Sequence, residues 1–518
     1  MIRPRGPGLL LFALAVAFAA VELGTAWIEP YGLFHDELYY WACSERLGLG
    51  YVDHPPLAPW VLAGSIALLG AGRLGFGLVP ALCGAGTLLQ TGLMARRLGA
   101  GRFGQLLAGL CVAVAPFNLV FFSFYSVNAL EIFLWTAACF LVVELIRTGD
   151  ERLWLGIGLV AGIAVLNKHT FALLAFGLAV GVVATPLRTQ LRSRWLWLGG
   201  AAFLLLALPN LYWNLEHGWP SAAFYGSVGA DKNVPTSFVE ALFLQIAGTN
   251  PAAVLLWVPG LLFLLFSRAA RPYRPLGLAF LALLVVMLLS GLRRGDRIAG
   301  AYPIVLAAGA TFWDQWRGRW RTGVRWALPV LLLAFGVLLL PASLPVLPPQ
   351  TVADYFEALG EEPHMEQSDV GHNIPVYLLG RLEWERVADD VVAAWETLPP
   401  EDRARAVVLA PHWVWASVIE FYGRGRGLPP VVSPHNAYYF WRHDAAGRDV
   451  VLSLHIESDV LARYFAETRR VGTFRCDQCA NWRPDMPISV SYGPSKPIED
   501  LLSDWRYFGL SPSPKLRP

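Results

Sequence analysis

A series of long apolar segments constrains the fold of this chain more than any other feature. The 518 residues are 55% hydrophobic and only 15% charged, and the mean hydropathy is +0.45. Soluble domains carry about 25% charged residues, so the composition predicts a polytopic membrane helical bundle with a soluble part attached. About eleven spans are predicted, at residues 8–27, 78–95, 103–122, 128–146, 153–167, 169–187, 195–213, 251–267, 275–291, 298–315 and 325–341.

The arginines between these segments predict the orientation of the bundle. Short loops that contain Lys or Arg lie in the cytoplasm, and alternate loops carry them if Arg3 and Arg5 are inside. The pattern holds through the last span if residues 55–77 form a re-entrant or interfacial helix outside. An odd number of spans then places the C-terminal part outside as well. We therefore predict a transmembrane domain at 1–341, with a first outer loop at 28–77, and an extracytoplasmic α/β domain at 342–518.

A polar stretch interrupts the apolar pattern at residues 34–57, on the predicted outer side. It contains the acidic pair Asp36-Glu37, the aromatic patch Tyr39-Tyr40-Trp41, and Asp53-His54 before a double proline. Asp at the start of a helix is ordinary, and Asp36-Glu37 can simply cap the helix that follows. A carboxylate at a membrane surface beside aromatic side chains also suits a general base. We favour the second interpretation.

Several charges on the same predicted side break the topology rule. They are Lys168, Glu131, and the arginines of a Gly-Leu-Arg-Arg-Gly-Asp-Arg stretch, Arg293, Arg294 and Arg297. A charge near the centre of a span costs roughly 2.5–3.5 kcal/mol on insertion scales and usually marks a functional path. Lys168 can instead snorkel to the interface, the arginines can lie in an exposed loop, and Glu131 can be a structural partner of a neighbouring helix.

One outward-facing polar cavity would account for these charges together with the acidic stretch. Cations suit phosphate, and carboxylates suit a base or sugar-hydroxyl recognition. The expected partners are therefore a lipid-linked phosphosugar and the bilayer, and nucleic acid is not expected. A rival interpretation is a transporter or lipid flippase, which also lines a cavity with charges. No clear internal repeat is present and the charges gather at one face, which favours an enzyme.

The motifs resemble a known family. Asp36-Glu37 with Tyr-Tyr-Trp, Gly-Tyr-Val-Asp-His-Pro-Pro-Leu at 50–57 and the helix ending Leu-Asn-Lys168-His are similar to GT-C glycosyltransferases. The similar members are the dolichyl-phosphate-mannose protein mannosyltransferase and aminoarabinose transferase group, including proteins with an RgtA/B/C/D-like domain. The resemblance covers roughly the first 340 residues. It departs at Asp53-His54, where aminoarabinose transferases tend to have Glu-Lys; a neutral histidine is a weaker phosphate ligand.

The resemblance implies inverting transfer of a sugar from a polyprenyl-phosphate donor to an envelope glycan, lipid or protein on the outer face of the cytoplasmic membrane. It implies Asp36 as general base, with Glu37 beside it. The candidate substrate- and phosphate-binding residues are Asp53, His54, Lys168, Arg293, Arg294, Arg297, Glu131 and Tyr40. No cofactor is certain. A divalent metal is compatible with the acidic residues but is not expected, because cations lie nearby.

The C-terminal part contains two further signals. Strand-like Ala406–Ala410, a helical stretch at 413–422 and strand-like Val431–Ser433 predict a parallel βαβ unit. The following segment contains residues that can contact sugar, or that can pack this domain against the membrane part, namely His435, Asn436, Tyr438, Tyr439 and Trp441. Cys476 and Cys479 can form a local disulfide, part of a zinc site or a redox motif; outside the cell, the disulfide is favoured.

Overall fold

A computed structural model describes residues 8–28, 30–231, 236–291, 295–359, 374–475 and 485–517. Arg293, Arg294, Cys476 and Cys479 lie outside the described residues, so the predictions for them remain open.

The helices are α1 Leu9–Thr25, α2 His35–Glu45, α3 Leu57–Leu69, α4 Arg73–Arg97, α5 Arg102–Ala113, α6 Pro116–Phe122, α7 Val127–Thr148, α8 Leu153–Asn167, α9 Phe171–Val183, α10 Arg194–Glu216, α11 Pro220–Asp231, α12 Phe238–Thr249, α13 Val254–Phe266, α14 Arg274–Leu289, α15 Tyr302–Gln315, α16 Arg321–Ser343, α17 Pro349–Leu359, α18 Val376–Leu379, α19 Trp384–Glu396, α20 Pro400–Arg405, α21 Trp413–Tyr422, α22 Ser458–Leu461 and α23 Ile498–Asp504. The strands are β1 Ala406–Leu409, β2 Val431–Val432, β3 Val450–Leu454, β4 Phe465–Arg475 and β5 Asp485–Pro494.

The chain forms two compact units. The helical unit comprises Met1–Ile28, Ser65–Tyr212 and Val234–Leu347. The mixed unit comprises Glu29–Gly64, Trp213–Asn233 and Pro348–Pro518. The prediction of a mostly helical protein with a C-terminal sheet domain is confirmed.

The helical unit contains the membrane-spanning candidates. Within the described residues, five helices are long and apolar enough to cross a bilayer, or up to eight if each of three bent pairs counts as one span. Three shorter apolar helices are α1, α3 and α8. The predicted count of eleven spans and the placement of the termini relative to the membrane stay predictions.

Two predicted spans, and the segment directly before a third, differ from the straight helices that apolar runs suggest. The run at 103–122 bends by 63° between α5 and α6, where Pro116 occupies the first turn of α6. Between α12 and α13 the bend is 101°, at Asn250-Pro251. The run at 298–315 begins as a 3-10 turn, Gly295–Ala301, so α15 keeps only 14 residues. That length spans about 21 Å, and all of residues 302–311 are buried in protein.

Asn250 stabilises one of these bends with its side chain. The residue has a φ of +81°, a conformation that Asn tolerates better than most residues. Its Nδ2 donates to the carbonyl oxygens of Val114 (3.2 Å) and Leu332 (3.1 Å), and its Oδ1 accepts from the Ala252 N–H (3.0 Å). The breaks in two helices are therefore joined by one buried amide, which satisfies carbonyl groups that a broken helix leaves unpaired.

Glycines on α13 and α15 allow the backbones of these two helices to approach closely. A Cβ added at Gly260 would overlap the carbonyl oxygen of Val305, and one at Gly309 would overlap that of Leu256. Helices α13 and α15 thus pack backbone against backbone, as small residues permit in membrane bundles.

The mixed unit is built on a five-stranded sheet of order β2-β1-β3-β5-β4. β1 pairs in parallel with β2 and β3, while β5 pairs antiparallel with β3 and β4. All residues of β1 and β3 are buried, the continuous apolar pattern of strands covered on both faces. The predicted parallel strand–helix–strand unit of β1, α21 and β2 is confirmed.

Helix α2 from the polar stretch belongs to the mixed unit and packs on α21. Trp41 meets Phe421 edge-to-face at 4.9 Å, and Arg46 pairs with Glu420 at 2.5 Å. The packing of α2 on α21 therefore fixes the position of the acidic residues at the start of α2 within the mixed unit.

Candidate active site

The acidic pair lies in the first turn of α2, where unpaired backbone N–H groups and the helix dipole favour negative side chains. Glu37 is 3% exposed, and its Oε2 accepts the N–H of Phe34 at 2.8 Å. The N–H of Glu37 in turn donates to the Phe34 carbonyl at 2.9 Å. Glu37 thus closes the N-terminus of the helix, the structural alternative that the sequence left open for this pair.

Asp36 has a different environment from its neighbour. Its side chain is 36% exposed, and its Oδ1 lies 3.3 Å from Nε2 of His35. Burial lowers the pKa of His35, although Asp36 and the Gly380 carbonyl oppose that shift. His35 is therefore neutral at pH 7, and Asp36 remains an accessible carboxylate beside an uncharged imidazole.

The Asp53 side chain is 13% exposed and is hydrogen-bonded on both oxygens. Oδ1 accepts the hydroxyl of Tyr39 at 2.9 Å, and Oδ2 accepts Nδ2 of Asn436 at 3.3 Å. Burial raises the pKa of Asp53, while His54 and the Tyr39 hydrogen bond act in the opposite direction. Burial, together with Asp53, also raises the pKa of Tyr39 well above its usual value. The proton therefore stays on Tyr39, and Asp53 ties the first loop to the segment after β2.

His54 is 4% exposed, and burial lowers its pKa. Its Nδ1 donates to the Pro55 carbonyl at 2.9 Å, and its Nε2 lies 3.8 Å from the Cys43 sulfur. Tyr40, 7% exposed, lies with its ring 4.8 Å from the imidazole. A neutral His54 has no second N–H for a phosphate, so the predicted phosphate contact would require protonation of a buried ring.

A second polar cluster lies in the helical unit. Lys168 Nζ donates to Glu131 Oε2 at 2.6 Å and to Asn128 Oδ1 at 2.7 Å. The hydroxyl of Thr170 donates to the other Glu131 oxygen. The side chains of Lys168 and Glu131 are 21% and 9% exposed. Lys168 and Glu131, both singled out from the sequence, thus come together with Asn128, and the ammonium group has one N–H beyond the two that bind these side chains.

The remaining predicted ligands are less closely grouped. Arg297 lies half-buried in the 3-10 turn Gly295–Ala301 of the helical unit. The Asp36 group belongs to the mixed unit and the Lys168 group to the helical unit, so their union in one cavity stays a prediction. Across the described ranges no group of three or more His, Cys, Asp or Glu side chains is arranged to hold a metal ion.

The prediction that five residues after β2 contact sugar is partly wrong. His435, Asn436 and Tyr438 have 0% exposure, so they pack inside the unit and do not face a ligand. Tyr438 donates to Glu420 at 2.7 Å, and His435 Nε2 donates to the Ser511 carbonyl at 2.9 Å. Only Tyr439 and Trp441 of the five are partly exposed.

Tyr39 and Thr170 are contacts that the sequence did not single out. Tyr39 reaches Asp53 across 14 positions, and its hydroxyl accepts the N–H of Ala437 at 3.3 Å. Its position in the aromatic patch was the only signal. Thr170 lies two residues after Lys168, but nothing in the spacing indicates that it turns toward Glu131.

Comparisons with known proteins agree with this architecture. The profile of the dolichyl-phosphate-mannose-protein mannosyltransferase family matches residues 53–213. Lipid A galacturonosyltransferase RgtD of Rhizobium johnstonii (strain DSM 114642 / LMG 32736 / 3841) is 29% identical over 190 residues, 36% of this chain. The match spans only 39% of that relative's length.

Two solved structures share the fold. ArnT from Cupriavidus metallidurans, bound to undecaprenyl phosphate, has a TM-score of 0.61 at 17% identity over 93% of this chain and 97% of ArnT. The archaeal oligosaccharyltransferase AglB from Archaeoglobus fulgidus, in complex with an inhibitory peptide and a dolichol-phosphate, has a TM-score of 0.50 at 11% identity over 86% and 69%. At these identities the likeness shows the fold alone.

The described residues contain five to eight helices, by length and composition, that can cross a membrane, and the chain has the fold of ArnT, a sugar transferase structure of the GT-C type. The family profile, the galacturonosyltransferase relative and the shared fold together confirm the resemblance to the dolichyl-phosphate-mannose protein mannosyltransferase and aminoarabinose transferase group that the sequence indicated.

Proposed function

We propose that this protein transfers a sugar from a polyprenyl-phosphate donor to an envelope glycan, lipid or protein on the outer face of the cytoplasmic membrane. The family match and the relative named as a lipid A galacturonosyltransferase support glycosyl transfer. The structural neighbour that binds undecaprenyl phosphate supports the donor class. Hexose and pentose donors both remain within the proposal.

The difference in accessibility among the predicted carboxylates carries the assignment of the base. Glu37 binds the backbone at the start of α2, and Asp53 is enclosed by Tyr39 and Asn436. Asp36 is the most exposed carboxylate of the three, at 36% against 13% for Asp53 and 3% for Glu37, and it is the one that an acceptor hydroxyl reaches most easily. A base must come within hydrogen-bond distance of the proton that it removes. Asp36 therefore has the catalytic role, and Glu37 positions it by fixing the helix start.

The proposed reaction is a single displacement with inversion. The acceptor oxygen forms a bond to the anomeric carbon while the bond from that carbon to the phosphate oxygen breaks. The bonding electrons leave with the lipid phosphate, and Asp36 takes the acceptor proton. A phosphate leaving group needs charge stabilisation more than protonation. We assign that task to Lys168, Arg297, Arg293 and Arg294.

Label transfer tests the proposal. Membranes that contain the full chain are given polyprenyl-phosphate sugars with a radiolabelled sugar, and the label is followed into lipid, glycan and protein fractions. Label in an acceptor, absent from membranes without the chain, is the expected result. Label that crosses the bilayer while it stays on the polyprenyl phosphate would support a flippase instead.

A further inference from the structure

The mixed unit contains a cavity of about 300 Å³ that is lined by none of the residues assigned to the base or to the phosphate. It lies between the segment that follows α2, the C-terminal end of α10 and the segment after β2. Its lining includes aromatic rings and two polar side chains, from Arg46, Tyr51, Trp213, His217, Phe440 and Trp441. Ligand pockets of roughly 300–1,000 Å³ hold small molecules, so this volume suits a single ring.

The aromatic part of the lining is fixed by mutual packing. Trp213 and His217 stack at a centroid distance of 4.6 Å with a 24° interplanar angle. Phe440 meets both rings edge-to-face, at 5.6 and 5.0 Å. Such rings carry negative π-faces that attract polarised C–H groups. A pyranose presents C–H groups on one face and hydroxyls at its rim.

Fixed polar groups accompany these rings. Nδ1 of His217 donates to the Trp213 carbonyl at 2.8 Å, so Nε2 is the ring nitrogen that can accept a hydroxyl. The Arg46 guanidinium lies 4.6 Å from the Trp441 ring centroid. Its Nη1 has no hydrogen-bond partner within the part of the chain that the structure describes. A guanidinium and an imidazole acceptor match the donors and acceptors of sugar hydroxyls.

The charges of the cavity decide which sugar-bearing molecule fits. Arg46 Nη2 is paired with Glu420 at 2.5 Å and lies 3.8 Å from Asp444. One cation with two carboxylates gives no net positive charge for a phosphate. The phosphate-linked donor is therefore disfavoured, and a purely apolar lipid chain would leave the ion pair without polar contacts.

The cavity walls are held in place without a ligand. Trp60 Nε1 donates to the Gly48 carbonyl at 2.9 Å, and the Ser221 hydroxyl donates to the Tyr51 carbonyl at 3.3 Å. A preformed wall loses little entropy when a ligand binds.

We infer that this cavity binds an uncharged pyranose residue of a saccharide acceptor. The assignment to the acceptor rests on the proposed glycosyl transfer, whereas the binding of a sugar ring rests on the cavity alone.

Saturation-transfer NMR on the purified full chain tests the inference, in a detergent without a sugar headgroup. The probes are methyl α-D-galactopyranoside, methyl α-D-mannopyranoside and methyl β-D-glucopyranoside, with inorganic phosphate as competitor. At least one glycoside should give ring-proton signals that phosphate does not displace. Absence of signal from all three, or displacement by phosphate, would overturn the inference.

Variants localise the signal to the cavity. Trp441→Ala should weaken glycoside binding about tenfold, and Trp441→Phe, which keeps an aromatic ring, should recover part of it. His217→Phe keeps the stack and removes Nε2, so it separates the hydrogen bond from the packing. Tyr225→Ala is the matched control, because Tyr225 is an exposed aromatic residue of the same unit that does not line the cavity.

The same preparations separate this inference from the proposed function. Loss of glycoside binding in Trp441→Ala from a chain that transfers no label would support the site and refute the transferase. Label transfer with an unchanged acceptor KM in Trp441→Ala and His217→Phe would support the transferase and overturn the acceptor site.

Discussion

The hydroxyl of Tyr39 donates to Oδ1 of Asp53 across 2.9 Å, and the same hydroxyl accepts the Ala437 N–H at 3.3 Å. Tyr39 lies on α2, Asp53 in the loop that follows, and Ala437 after β2. One phenol therefore connects the helix that carries Asp36 to two other segments of the mixed unit. Its ring also packs 4.4 Å from Trp413 at the start of α21.

Tyr39→Phe should destabilise the mixed unit by about 1–3 kcal/mol, because it leaves a buried carboxylate oxygen and a buried N–H without their partner. Chemical denaturation of the full chain, followed by tryptophan fluorescence, measures the change. Tyr225→Phe serves as a control on an exposed tyrosine. An unchanged unfolding midpoint for Tyr39→Phe would show that water replaces the hydroxyl at no net loss.

Glu37→Ala should lower stability by about 1 kcal/mol through loss of the helix cap. Glu37→Gln keeps an acceptor for the Phe34 N–H and should keep both the stability and the transfer rate. Thermal unfolding and label transfer of the two variants make the comparison. A loss of transfer of a hundredfold or more in a stable Glu37→Gln protein would instead give Glu37 a chemical role.

Lys168→Met should be strongly destabilising, by about 3–5 kcal/mol, because Glu131 remains buried without its cation. The double variant Lys168→Met/Glu131→Gln removes both charges and should recover much of that loss. If Lys168 binds the lipid phosphate, the double variant should transfer label more slowly than the wild type even though its stability is restored. Wild-type transfer by the double variant would restrict the pair to a structural role.

The mixed unit should lose stability in acid partly through His412. This imidazole caps α21 with Nδ1, which accepts the Val414 N–H at 3.2 Å, and donates from Nε2 to the Leu510 carbonyl at 2.8 Å. Burial lowers the pKa of His412 from 6.5 to about 3. The folded state thus binds fewer protons than the unfolded state between these values, and stability present above pH 6.5 falls as the pH approaches 3.

His412→Asn keeps a capping side chain but does not titrate, so its stability should fall less steeply over that pH range. The unfolding midpoints of the wild type and of His412→Asn are measured at several pH values from 7 to 4. Their difference gives the contribution of His412 to the pH dependence of stability, apart from that of His435. The ring of His435 lies 4.2 Å away and burial lowers its pKa as well. Parallel pH curves for the variant and the wild type would contradict this account.

The sequence predicted the class of fold and the regions of chemistry better than the roles of individual residues. Long apolar runs and alternating arginines indicate a membrane bundle because the bilayer imposes length and charge rules on any sequence. The β1–α21–β2 unit was predictable from local periodicity. The high cost of isolated charges in a bundle predicted one polar group that contains Lys168 and Glu131, but it did not predict that the two side chains form a pair.

The roles of individual residues depend on tertiary contacts, which local sequence patterns do not predict. Asp36 and Glu37 are chemically similar neighbours in the sequence. Only the position of the helix start, at Phe34, makes Glu37 the cap and leaves Asp36 exposed. Asp53 meets Asn436 across 383 positions, a pairing for which one sequence offers no signal. The bend at Pro116 interrupts the apolar run 103–122, which was predicted as one straight span, and the bend at Asn250-Pro251 lies directly before the predicted span 251–267.

The most direct test of the account is label transfer by Asp36→Asn. Asn keeps the size of the side chain and its place in the first turn of α2, but it cannot take a proton from an acceptor hydroxyl. The purified variant should insert and unfold like the wild type and bind the polyprenyl-phosphate donor, yet transfer label at least a hundredfold more slowly. Transfer at the wild-type rate would contradict the assignment of Asp36 as the general base.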